Sequence, residues 1–332
     1  MNHPQQSSTD RQTLTEKIKI HALALGFDQV GIASAEPVLA AGRHFLNWLT
    51  DGFEGEMAYL RKKPENRFDP KRRFPEAKTV ISLAFNYYQP LPEKENDDSN
   101  GASFGKVARY AWGEDYHQII EKKLAVLIAF ITKQGGTCWK GYVDHGALLE
   151  KAYAVRAGLG FIGKNTLLIT PEFGSWIFLA EVISTLDLVE DVPDPPRATS
   201  TSQCGACTRC IDACPTGAIT APFRLDARRC ISYQTIENKG PFSEEVIPNL
   251  KGWIFGCDIC QEVCPFNRQA RPTNEQRLSP ETGAGPKLRL EDIENIPDNA
   301  AFKETYKRSP LLRPKRKGLQ RNAATLRLAS LE

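Results

Sequence analysis

No run among the 332 residues approaches the roughly 20 consecutive apolar residues that a membrane-spanning helix needs. The opening residues, MNHPQQSSTD, are polar and contain no apolar signal region. No GxGxxG opens a helix after a strand. The one such stretch, GLGFIG at 158–163, has the glycine offsets but follows an expected helix and leads into a strand, the reverse of the order that cradles a dinucleotide pyrophosphate. No Cys–His or Ser–His–Asp grammar of a nucleophilic hydrolase is present, and no internal repeat appears beyond two cysteine runs. Cysteine is scarce outside one stretch: of nine, only Cys138 lies elsewhere, and it reads as a small buried hydrophobe. These absences argue against a membrane, secreted or nicotinamide-dependent protein. With metal-type cysteines, they lead us to expect a protein of the reducing cytoplasm.

What is present is concentrated between Cys204 and Cys264. The first run is Cys204-x2-Cys207-x2-Cys210-x3-Cys214-Pro215, and the second is Cys257-x2-Cys260-x3-Cys264-Pro265, with Cys230 alone between them. The first has the spacing of a bacterial two-cluster ferredoxin, in which three close thiolates hold one 4Fe–4S cube and the fourth reaches the other. Ile254 stands where the second run should begin with cysteine. A cube needs four ligands, and Cys230 is the replacement at hand. The expected partition is therefore Cys204, Cys207, Cys210 and Cys264 on one cluster, and Cys214, Cys230, Cys257 and Cys260 on the other. Zinc also takes four thiolates, but usually through paired CxxC knuckles, and a disulfide framework belongs in an oxidising compartment. Pro215 and Pro265 end each run just after its last ligand.

A chain with 41% hydrophobic residues can bury a sizeable core. Residues 10–26 read as an amphipathic helix stopped by Gly26, FDQVGIASA as a strand, and a second helix begins near Pro37. KTVISLAFNYY reads as a buried strand and 89–105 as a polar, acidic surface loop. IIEKKLAVLIAFITKQ is a long amphipathic helix. A further helix is expected from about Gly146 to Ala157, then a glycine-rich turn, a strand near Thr166, and another at FLAEVIST. Short strands are expected at TGAIT and before Leu225. The Pro- and Asp-rich linker DLVEDVPDPPRATSTSQ suggests domains at 1–190, 191–270 and 271–332. The last is a basic helical tail ending GLQRNAATLRLAS, like the opening of a HEAT-type repeat, whose apolar face must pack on the body or on a partner. Net charge is only +3, yet residues 301–332 hold nine Lys/Arg against two Glu, and 61–73 hold seven against Glu65 and Asp69. Such unevenness fits a polyanionic partner or a solvated basic face. About 190 residues precede the clusters, far more than an electron carrier requires, so that domain should house a substrate or second cofactor.

ENRFDP around Arg67, ARYAWGEDYH, VDHGALLEKAYAVRAGLGFIGKNTLL, PEFGSW, and the eight-cysteine block with Cys230 in RRCISY resemble the epoxyqueuosine reductase family over roughly residues 10–325. The resemblance implies an α+β chain. It would combine an N-terminal α/β cobalamin-binding domain similar to reductive dehalogenases, a ferredoxin-like domain with two 4Fe–4S clusters, and a shortened HEAT-like tail. It implies removal of the epoxide oxygen from epoxyqueuosine at the wobble position of tRNAs with GUN anticodons, drawing electrons from an unidentified flavodoxin, ferredoxin or reductase. A monomer is expected. Rival readings are a reductive dehalogenase, which usually carries a twin-arginine export signal, and a ferredoxin-type carrier with an accessory domain.

Asp144 aligns with the family's proton donor. The alternative is that it caps the helix expected to begin at His145-Gly146. A carboxyl buried beside a corrin would be kept protonated by desolvation. The resemblance also places Arg67, Ala108, Leu168, Leu179, Lys164 and Asn165 at the cobalamin, where the plain alternatives are a surface charge, core packing and a turn-stabilising Asn. Tyr110, Tyr116 and His117 are weaker candidates, and His117 is not expected to ligate cobalt. For tRNA, Arg313, Lys315, Arg316, Lys317 and Arg321, with the segment around Arg72-Arg73, would meet phosphates.

Overall fold

The computed structural model describes residues 8–92, 103–139, 141–144, 146, 148–191 and 201–329. Helix α1 (Ser8–Ala24) leads into strand β1 (Gln29–Ser34), helix α2 (Leu39–Thr50) and strand β2 (Thr79–Asn86). Strand β3 (Phe104–Val107), helix α3 (Tyr116–Lys133) and helix α4 (Glu150–Arg156) follow, then strands β4 (Phe161–Ile162), β5 (Leu168–Ile169) and β6 (Ile177–Ser184). The cysteine region contributes β7 (Ile219–Ala221), β8 (Arg224–Leu225) and β9 (Trp253–Phe255), and β10 (Lys287–Arg289) precedes the terminal helix Lys315–Ala329.

The main sheet has the order β1-β2-β6, antiparallel throughout. All eight residues of β2 are buried because it is the central strand with both faces covered. Its side chains alternate as the pleat demands. Ile81, Leu83 and Phe85 join Phe178, Ala180 and Val182 of β6 beneath α1 and α3, while Val80, Ala84, Leu179 and Ile183 face the other way, toward α4. Each such aliphatic or aromatic side chain, fully buried, is worth roughly 1.5–3 kcal/mol. Leu14, Ile18 and Ala22 are the buried stripe of α1, as the helical period requires.

Two expectations change, and one open alternative is decided. The polar loop at 89–105 ends in a strand: β3 pairs antiparallel with β10 and parallel with β9. Gly105 permits that approach, since a Cβ there would lie 2.6 Å from the Cβ of Ile254. The rest of that loop, 93–102, and most of the linker, 192–200, lie outside the described residues. The helix expected from Gly146 begins only at Glu150, with Leu149 before it. Its would-be first turn is held by Arg67, whose Nη1 donates to the Gly146 carbonyl and whose own carbonyl accepts from Leu149 N. The tail packs on the body: Leu319, Ala323 and Leu326 enter a core with Trp253, Ile254 and Phe255. No helix among the described residues is long and apolar enough to cross a membrane.

Candidate active site and metal centre

The second face of the main sheet borders a cavity of about 490 Å³. Leu168 of β5 and Leu179 of β6 give it apolar lining, and Asp144, Tyr110 and Tyr116 also line it. Cys214, Cys230, Cys257 and Cys260 line it as well. One surface thus carries a carboxyl group and four thiols drawn from distant parts of the chain.

Asp144 is where a short bridged strand turns outward. Tyr142 exchanges backbone hydrogen bonds with Glu181 of β6, Val143 is buried, and Asp144 then takes φ of 55°. That left-handed conformation is uncommon for a side-chain-bearing residue, though Asp and Asn tolerate it best, and such strain gathers at functional sites. Asp144 caps no helix, because Leu149 holds the N-cap position of α4. Nor is it buried: it is exposed at the cavity.

Tyr116 donates its hydroxyl hydrogen to Asp144 Oδ2. Its ring stacks on Phe178 at 3.9 Å and meets Tyr110 edge-on at 6.1 Å. Burial, then the charge of Asp144, pushes the Tyr116 phenol well above its ordinary range, so it stays a donor. Asp115 fixes it in place by accepting from His117 N as N-cap of α3. The Asp115-Tyr116-His117 cap was the available signal for Tyr116, but its partner lies 28 residues on. His117 is held by Asp115 at 2.8 Å.

The thiols fall into two sets. After burial, the charges acting on Cys210 are those of Cys264, Cys204 and Cys207, and they push it up to about 11. Cys257 feels Cys230 and Cys214, while Cys260 feels Cys230 and Cys257 first and, last, Cys210 of the other set. Thiols that oppose one another's ionisation suit an iron cluster, whose positive charge removes the conflict by holding them as thiolates. Backbone amides of Ser232 and Tyr233 address Cys230, and Ala218 N donates to Cys214 Sγ at 3.3 Å. Cys138 stands apart, bridged to Ser184 at the sheet edge. Only the second set lines the cavity, so the first is the outer one.

The expected cobalamin contacts divide. Leu168, Leu179 and Asn165 line the cavity, and the buried Asn165 Nδ2 has no hydrogen-bond partner among the described residues. Such an orphaned amide suits a polar ligand edge, and the apolar lining suits a macrocycle face. Lys164 turns the other way: its Nζ donates to the carbonyls of Gly205 and Cys207 at 2.7 and 2.9 Å, clamping the outer cysteine loop. Arg67 lies behind the Asp144 segment, and buried Ala108 donates its N–H to Phe255 O at 2.8 Å. Neither Arg67 nor Ala108 lines the cavity.

A family model described as a 4Fe-4S double cluster binding domain matches residues 203–267. A second, described as epoxyqueuosine reductase QueG, DUF1730, matches residues 67–145. Epoxyqueuosine reductase of Atelocyanobacterium thalassa (isolate ALOHA) is 40% identical over 319 residues, covering 94% of this chain and 98% of the relative. The chain belongs to the epoxyqueuosine reductase family. The Cyclobacterium marinum member is likewise 40% identical, over 93% of this chain and 95% of its own. Among solved structures, an epoxyqueuosine reductase crystallised with an epoxyqueuosine-modified tRNA-Tyr stem loop superposes with a TM-score of 0.85 at 32% identity, covering 95% of this chain and 80% of that one. The epoxyqueuosine reductase of Streptococcus thermophilus superposes with a TM-score of 0.82 at 32% identity, covering 97% and 82%. This family member is therefore an oxidoreductase with a double 4Fe–4S domain.

The basic tail also divides. Arg313 pairs with Glu237 at 2.8 Å, Arg316 donates to the carbonyls of Ile296 and Pro297, and Arg321 donates to those of Gln234 and Asn238. Arg321 ties the terminal helix to the cysteine region, Arg313 ties the turn before it, and Arg316 braces it within the tail. Lys315 and Lys317 are exposed.

Proposed function

We propose that the protein converts epoxyqueuosine to queuosine at the wobble position of tRNAs with GUN anticodons, as a cytoplasmic monomer, with cobalamin in the cavity and Asp144 as proton donor. The observation that carries this is the convergence of Asp144 and the four inner thiols on one cavity. Cobalamin, when bound, supplies a strong nucleophile or reductant for opening the epoxide. Everything else falls to the chain. Leu168 and Leu179 offer it an apolar face, and Asn165 offers an amide. Cys204, Cys207, Cys210 and Cys264 would hold the outer cluster, receiving electrons from a low-potential donor protein. Cys214, Cys230, Cys257 and Cys260 would hold the inner one, beside the cavity. Asp144, exposed to the cavity and oriented by Tyr116, can deliver a proton to the departing oxygen. The modified base must leave the anticodon stack to reach it.

The test is anaerobic reconstitution followed by cobalt and iron analysis and nucleoside mass spectrometry of treated tRNA. Conversion of epoxyqueuosine with about eight irons per chain, two 4Fe–4S loads, supports the reading. A fully loaded protein that leaves epoxyqueuosine untouched refutes it.

A further inference from the structure

Removing an epoxide oxygen to leave an alkene breaks two C–O bonds and forms one C=C bond. The oxygen departs as water, so the balance takes two electrons and two protons. The electrons come singly through the clusters from an external low-potential donor. Asp144 holds one proton at a time, so a second must arrive within the same turnover.

Behind Asp144 lie two carboxyl groups that the function described so far does not use. Glu181 projects from β6 toward α4 and is completely buried, and neither of its carboxyl oxygens has a hydrogen-bond donor among the described residues. Glu150, first residue of α4, faces it and also lines the cavity beside Asp144. The Asp144 backbone N–H addresses the Glu150 carboxyl, and Glu181 is the residue that Tyr142 pairs with just before Asp144. Two carboxylates so placed cannot both ionise in a low-dielectric site. Burial and the charge of Asp144 push both well above the ordinary carboxylate range, and the charge of Glu150 adds to the rise of Glu181. The other charged groups facing Glu150 among the described residues are Lys151 on α4 and Arg67.

We propose that Glu150 and Glu181 form a carboxyl pair that stores the second proton and passes it through Glu150 to Asp144 during turnover. Asp144 gives its first proton to the oxygen, takes the pair's proton as the first C–O bond breaks, and gives that one as water leaves. Solvent reloads the pair between turnovers. The inference rests on the reading of Asp144 as donor to an epoxide oxygen.

The test uses the reconstituted holoenzyme, an epoxyqueuosine-bearing anticodon stem-loop, and the variants Glu150→Gln and Glu181→Gln. Each keeps side-chain shape but cannot store an acidic proton. Both are expected to bind the stem-loop with unchanged KM, to lose at least about tenfold in kcat at neutral pH, and to lose the wild-type decline in kcat as pH rises through the pair's apparent pKa. A second readout needs no turnover. A proton held in the folded state above its unfolded pKa makes stability fall as pH rises. The wild-type denaturation midpoint should therefore fall from near pH 5 toward alkaline pH, and Glu181→Gln should flatten that fall. Wild-type kcat in both variants overturns the relay, and so does a loss by the same factor at every pH, as a merely structural role would give. If Asp144→Asn keeps full activity, the donor reading itself has failed. If Asp144→Asn is inactive while both glutamine variants are normal, the relay alone has failed.

Discussion

At the scale of single residues, Asp144 occupies a strained backbone position and accepts a hydrogen bond from a tyrosine fixed by stacking. A residue that served only to cap a helix would need neither. Asp144→Asn keeps the shape but removes the acidic proton. Turnover should fall about 10²–10⁴-fold while cobalamin occupancy and iron content persist. Metal analysis beside nucleoside mass spectrometry checks this, and near-normal turnover in loaded protein would move the search to Tyr110 and His117. Tyr116→Phe keeps the stack on Phe178 and loses only the hydroxyl that holds Asp144 Oδ2. A hydrogen bond between neutral groups, as to the protonated Asp144 that donates, is worth about 0.5–1.5 kcal/mol, so kcat should drop roughly 2–10-fold. Unchanged kcat would mean that Asp144 is positioned by its backbone alone.

At the scale of elements, the cysteine runs were legible because ligand spacing is a local property of the chain. The partition carries a sharp expectation: Cys230→Ser should cripple one cube and spare the other, whereas Cys138→Ser, at the sheet edge, should leave iron unchanged. Iron counts and electron paramagnetic resonance of the reduced variants check both. The regular elements were legible for the same local reason, since β2 shows its alternation and α1 its buried stripe. The start of α4 was not, because the apolar pattern runs on through Leu148 and Leu149 while Arg67, far earlier in sequence, takes the backbone there. Glu181 did leave a signal, a lone carboxylate in FLAEVIST, but its meaning depends on Glu150 facing it. Charge counting alone does not resolve the tail, because composition does not say whether an arginine reaches phosphate or a carbonyl of its own chain. Arg321 also lies over the Phe242 ring at 4.3 Å. Arg321→Ala should therefore destabilise by about 2–4 kcal/mol and lower Tm by roughly 5–10 °C, with Lys317→Ala within about 0.5 kcal/mol of wild type. Thermal denaturation measures both.

At the scale of the whole molecule, sequence-based boundaries do not separate in space. The small sheet takes β3 from the first stretch, β9 from the cysteine region and β10 from the tail, so cluster domain and cavity are tied by backbone hydrogen bonds. This keeps the inner thiols beside Asp144 while a large substrate docks outside. The docking charge must come from cations not already spent on the fold. Arg61 is engaged with Glu54, Lys71 with Glu36 and Arg72 with Asp69, whereas Lys62, Lys63, Lys315 and Lys317 are exposed. Phosphate contacts by lysine give affinity and salt dependence without sequence information. Replacing these four lysines together by glutamine should weaken tRNA binding. It should also flatten the plot of log affinity against log salt by roughly 0.7–0.9 units per lost contact. Saturated turnover of a minimal anticodon stem-loop should change far less, because none of the four lines the cavity. Binding isotherms over a salt series decide it: an unchanged slope would make these lysines a solvated face, and the tRNA would have to be gripped elsewhere.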